Sequence, residues 1–62
     1  MPIIQVNLLE GRSTEQKRKA AADMTKVICE DFDVKPEQVR IQFIDMSPAN
    51  FSIGGTLTID KK

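Results

Sequence analysis

The stretch Ile3-Ile4-Gln5-Val6-Asn7-Leu8-Leu9-Glu10-Gly11-Arg12-Ser13-Thr14-Glu15-Gln16 decides the fold. Ile4, Val6 and Leu8 alternate with Ile3, Gln5, Asn7 and Leu9. By the period of two, residues 3–9 form a strand with one apolar and one mixed face. Glu10-Gly11-Arg12 turns the chain, with Gly11 supplying the backbone freedom. Ser13 stands three residues before Gln16, the spacing of a capping box, in which each side chain satisfies an N–H of the other residue. Glu15 suits the positive end of the helix that starts here.

Outward from that stretch, Ala20, Ala21, Met24, Val27, Ile28 and Phe32 recur at helical spacing. They predict an apolar stripe roughly 100° wide. Lys17, Arg18, Lys19, Asp23, Lys26 and Glu30 are assigned to the wet side, and Cys29 lies about one residue off the stripe. The helix is expected to end at Asp31 or Phe32. Pro36 drives Lys35 out of the helical region and opens a short turn over 36–38. Val39 to Met46 reads as a second strand, with Val39, Ile41 and Phe43 on an apolar face and Arg40, Gln42 and Ile44 on a mixed one. Strand, helix and strand make a βαβ unit with parallel strands and a right-handed crossover. Ser47 to Asn50 is a turn, residues 51–59 a short hairpin around Gly54-Gly55, and residues 60–62 a mobile tail. The fold class is α/β (α+β), a single domain over residues 1–62.

Composition narrows the function. The 62 residues contain one Cys and no His, which excludes an intramolecular disulfide, a His or multi-Cys zinc site and His-based acid/base chemistry. Nine basic and nine acidic side chains cancel, so there is no basic field for a nucleic acid. No stretch reaches the roughly 20 apolar residues of a membrane span, and the start lacks the pattern of a signal peptide. A cytoplasmic setting is expected. The helix covers one sheet face only. Ile3, Leu9 and Ile44 on the other face, with Ile53, Leu57 and Ile59 of the hairpin, need a cover that this short chain cannot supply. A homo-oligomer is therefore expected.

Four residues stand out chemically. Removal of Met1 before the small Pro2 would leave a secondary amine; a chain-terminal amine titrates at about 7.7–8.0. An apolar pocket or a nearby cation lowers that value toward a base working near neutrality. Pro2 equally serves as an ordinary strand start. Arg12, in the turn after the first strand, and Arg40, on the mixed face of the second, suit bidentate recognition of carboxylates, or inter-subunit ion pairs to Glu10 or Asp45. Phe51, with Ile53, could wall an apolar pocket or simply pack. Cys29 has no activating neighbour and reads as structural. Gly54-Gly55 lacks the helix and Lys of a phosphate loop.

Met1-Pro2-Ile3-Ile4, the run Leu9-Glu10-Gly11-Arg12-Ser13-Thr14-Glu15-Gln16-Lys17, Val39-Arg40 and Phe51-Ser52-Ile53-Gly54-Gly55 together resemble the 4-oxalocrotonate tautomerase family of small amino-terminal-proline tautomerases, over essentially the whole length. The resemblance implies a cofactor-free, metal-free isomerase of aromatic catabolism, moving a proton in a 2-hydroxy-dienoate such as 2-hydroxymuconate. Pro2 would be the catalytic base and acid. Arg40 would bind the 2-oxygen and its neighbouring carboxylate, and Arg12 the distal carboxylate of a dicarboxylate. Leu9 would offer a backbone amide, and Phe51 part of the apolar wall. It also implies sites between subunits of a hexamer, a trimer of dimers. Ala20-Ala21-Ala22 stands where bulkier aliphatics are expected, so packing under the helix should differ. Ile53 stands near where related dehalogenases and hydratases carry a water-activating acid, which favours isomerisation over those alternatives. A non-catalytic oligomeric binding module is the remaining alternative.

Overall fold

The computed structural model describes residues 1–61. Strand β1 covers Ile3–Leu9, helix α1 Thr14–Phe32 and strand β2 Arg40–Met46. The two strands pair in parallel, with Ile3 opposite Arg40, Val6 opposite Phe43 and Leu9 opposite Met46. Strands β3 (Ser52–Ile53) and β4 (Thr56–Leu57) form an antiparallel hairpin, a second sheet separate from the first. The βαβ unit and terminal hairpin agree with the expected fold class.

The local signals explain the elements. Ser13 caps α1: its Oγ accepts from the Gln16 N–H at 3.1 Å, and Gln16 Oε1 accepts from the Ser13 N–H at 2.9 Å. Single 3-10 turns follow at Pro36–Gln38, Pro48–Asn50 and Thr58–Asp60. Val39, expected in the second strand, instead donates its N–H to the Pro36 carbonyl at 3.1 Å and closes the first of these turns. The hairpin is likewise shorter than expected. Thr58 and Ile59 leave it for the last 3-10 turn, which the Lys61 N–H closes on the Thr58 carbonyl at 3.1 Å. Asp60 of the expected tail belongs to that turn, and Lys62 lies outside the described residues.

The helix face is rotated by about one position from the predicted stripe. Val27 and Phe32 are 53% and 62% exposed. Thr25, Cys29 and Lys17 are half-buried instead, in line with Ala20, Ala21, Met24 and Ile28. On β1 the alternation is as read: Ile4, Val6 and Leu8 are half-buried under α1, and Ile3, Gln5, Asn7 and Leu9 are exposed. Ile44, expected on the uncovered face, is half-buried. With small alanines beneath the helix, a cleft of about 430 Å³ stays open beside Ala20.

No described residue is fully buried. The chain exposes 4966 Å², against about 4,000 Å² for a compact 7.0 kDa monomer. Its radius of gyration is 14.9 Å, against about 11 Å for a compact domain of this length. Ile3 is 64% exposed, Ile53 and Ile59 each 60%. No helix among the described residues is long and apolar enough to cross a membrane.

One terminus of α1 is poorly matched to its sequence. Asp33 caps it in the left-handed region at φ 56, and Glu30 and Asp31 precede it with no basic residue in the last turn. Acidic groups oppose the negative end of the helix dipole, and a Cβ is disfavoured at that φ. Asp33→Gly should therefore stabilise the protein by about 1 kcal/mol, read as a higher urea midpoint at unchanged slope. An unchanged or lower midpoint would show that the Asp33 side chain has a compensating partner.

Candidate active site

The singled-out residues fall at two ends of the β1–β2 sheet. At the amino end, Pro2 is half-buried just before β1, and its carbonyl accepts from the Arg40 N–H at 3.0 Å. That bond extends the parallel ladder by one step, so the start of β2 fixes the start of the chain. The Arg40 guanidinium lies against the Met1 thioether through Nη1. Arg40 alternates with Gln42 and so belongs to the sheet face away from α1, where its side chain is exposed.

At the carboxyl end, Leu9 lies opposite Met46, and the Glu10 N–H donates to the Met46 carbonyl at 2.9 Å. Gly11, at φ 124, takes a conformation that L side chains rarely adopt and swings the chain up toward the Ser13 cap. Arg12 thereby reaches the open cleft between helix and sheet. Val6, Leu8 and Phe43 form the floor of that cleft, with Gln16, Lys17 and Met24 along the helix. It is an apolar trough with the Arg12 guanidinium at one end, suited to an organic anion.

Lys17, which its charge assigns to the wet side of the helix, lies half-buried on the covered side. Its Nζ donates to Asp45 Oδ2 at 2.7 Å, and its side chain is 26% exposed. The pair ties the first turns of α1 to the end of β2. The signal was present: Lys17 precedes Ala20, Ala21 and Met24 by three, four and seven, which places it on the covered line of the helix. Asp45 is thus engaged within the chain rather than by Arg12 or Arg40.

One chain does not bring the five expected site residues together. Leu9 is seven residues along the strand from Pro2, roughly 23 Å at the rise of an extended chain. Pro2 and Arg40 form one group, Leu9 and Arg12 another. Phe51 comes five residues after the end of β2; its carbonyl accepts from the Thr58 N–H at 2.8 Å, which closes the base of the hairpin. Every residue from Phe51 to Leu57 is exposed, so within one chain Phe51 and Ile53 do not wall an enclosed pocket.

Comparison with known proteins gives a consistent result. The family model described as tautomerase enzyme matches residues 2–61. A 2-hydroxymuconate tautomerase of Pseudomonas putida is 39% identical over 57 residues, which is 92% of this chain and 90% of that one. The solved structure of a 4-oxalocrotonate tautomerase isozyme from Methylibium petroleiphilum is 46% identical, with a TM-score of 0.89 over 94% of this chain and 91% of that one. A heterohexameric 4-oxalocrotonate tautomerase from Chloroflexus aurantiacus is 31% identical, with a TM-score of 0.91 and full coverage of both chains.

The hairpin that follows Phe51 turns on Gly54 and Gly55, at φ 60 and 88, and neither has an atom within 4 Å of where a Cβ would stand. The restriction is therefore one of backbone conformation alone. Gly54→Ala should cost about 1–2 kcal/mol, while Gly54→Asn should be nearly neutral, since Asn tolerates the first position of such a turn. Thermal unfolding of the two variants side by side checks this; equal losses would point to steric crowding from another copy.

Proposed function

The chain belongs to the tautomerase family, and from that premise we propose that it converts a 2-hydroxy-dienoate, such as 2-hydroxymuconate, to its 2-oxo isomer with Pro2 as the base. Removal of Met1 frees the prolyl nitrogen. The neutral amine takes the proton of the enol hydroxyl and returns a proton to a carbon further along the conjugated chain. Arg40 stabilises the negative charge that develops on oxygen, where a preorganised donor has most effect. Arg12 holds the distal carboxylate of a dicarboxylate, which is positioning. The Leu9 amide and the Phe51 ring complete the polar and apolar contacts.

The observation that carries this reading is the grouping of Pro2 with Arg40. The guanidinium touches the Met1 side chain, so after processing it would neighbour the new amine. A cation there disfavours the protonated amine and favours a base active near neutrality. The enzyme works in the cytoplasm as a homo-oligomer, a hexamer, in which copies bring the two ends of the sheet together. The heterohexameric assembly of the relative from Chloroflexus aurantiacus supports this.

Kinetics on the processed protein test the roles separately. Pro2→Ala should lower kcat more than it raises KM, and the pH–rate profile should rise to a plateau through neutrality as the amine deprotonates. Arg40→Ala should cut kcat by about 10²–10³. Arg12→Ala should raise KM for a dicarboxylate about 10- to 150-fold, the worth of one charged hydrogen-bonded pair, and leave a monocarboxylate unaffected. Equal losses on both substrates would remove Arg12 from the site. Retention of Met1 in a fully active preparation, seen by mass spectrometry, would remove Pro2.

A further inference from the structure

On the reading of Arg12 as a carboxylate clamp, we propose that Lys17 is a positioning residue that occupies Asp45 and so keeps the Arg12 guanidinium free for substrate. Asp45 alternates with Ile41 and Phe43, the positions half-buried beneath α1, and lies opposite Leu8. Leu8, Lys17 and Arg12 all line one cleft. A carboxylate at that place is a ready partner for a guanidinium, which forms the stronger, bidentate pair. Yet Asp45 is bonded to Lys17 at 2.7 Å, and among the described residues Arg12 makes no ion pair. The two other acidic groups paired among the described residues serve Arg18 and Lys19.

Spacing within the helix explains why Lys17 wins. Its position is fixed by the capping box one residue earlier, and its backbone N–H donates to the Ser13 carbonyl at 3.1 Å. The root of its side chain is thus set by ordered backbone, and its ammonium reaches Asp45 near the end of β2. Arg12 lies outside the helix, in the turn, and must give up more freedom to make the same contact. Without Lys17, Asp45 would stand uncompensated beside a cleft whose remaining cation is Arg12. The guanidinium would then fold back onto it, and a substrate carboxylate would have to displace an internal one.

Lys17→Met keeps helix propensity and bulk, and tests this directly. KM for a dicarboxylate should rise about fivefold, equivalent to about 1 kcal/mol, with kcat and the KM of a monocarboxylate unchanged. Adding Asp45→Asn should restore KM. Adding Asp23→Asn instead, which restores the net charge elsewhere on the helix, should not. Independently of turnover, the Arg12 Nε–H signal in proton–nitrogen spectra should become protected from exchange in Lys17→Met and lose that protection once Asp45→Asn is added. Failure of Asp45→Asn to restore KM, rescue by Asp23→Asn, or an Arg12 signal indifferent to Lys17 would each overturn the proposal. If the Arg12 signal responds as stated while KM for the dicarboxylate stays constant, Lys17 does guard Arg12, and the clamp reading is what fails.

Discussion

A parallel pair of strands exposes two faces, and this chain has one helix to lay against them. Everything else in the structure depends on that shortage. Parallel strands are found covered on both sides, yet Ile3 remains open to solvent on the face opposite α1, and the hairpin carries Ile53 and Leu57 with no sheet behind it. A hairpin of this length is marginal by itself in water. That no described residue is fully buried follows directly. A chain so built leaves apolar surface for a partner to complete, and on the proposed assembly that partner is another copy.

The same shortage divides the site. Pro2 immediately precedes β1 and Leu9 ends it, roughly 23 Å apart along the strand, with Arg12 in the turn beyond. On the roles proposed for these residues, the strand that makes the fold keeps one chain from making the complete site. On the proposed assembly, a copy that covers the open face would also bring its opposite end to Pro2. In the proposed arrangement catalysis would be coupled to assembly, with Pro2 and Arg40 in one half-site and Arg12, left free by the Lys17–Asp45 pair, in the other.

Much of this was legible from residues alone. The alternation of Ile4, Val6 and Leu8 and the Ser13–Gln16 spacing are local signals with short-range causes, and they located β1 and the start of α1 correctly. The uncovered face followed from counting helices against sheet faces. The errors have a common origin in tertiary geometry. Val27 and Phe32 have helical spacing, but the line that faces the sheet is rotated by about one position and runs through Lys17, Ala20, Ala21, Met24, Thr25, Ile28 and Cys29. The charge of Lys17 points to the wet side against its spacing, and its partner Asp45 is distant in sequence, matched to it only by the folded chain. The ends of β2 and β4 were overrun because 3-10 turns at Pro36 and Thr58 compete for the same backbone groups. That the candidate site residues do not meet in one chain was visible only through the length and parallel register of the sheet.

The claim that the half-sites come from different chains is tested most directly by mixing two defective variants. Pro2→Ala and Arg12→Ala proteins are unfolded together in equal amounts, refolded, and assayed for kcat/KM on a dicarboxylate. With Pro2 and Arg12 of each site drawn from different chains, random assembly leaves about a quarter of the sites intact in both, and activity should return to about that fraction of the native value. Activity no higher than the average of the two variants refolded separately would mean that each site takes both residues from one chain, which contradicts the account.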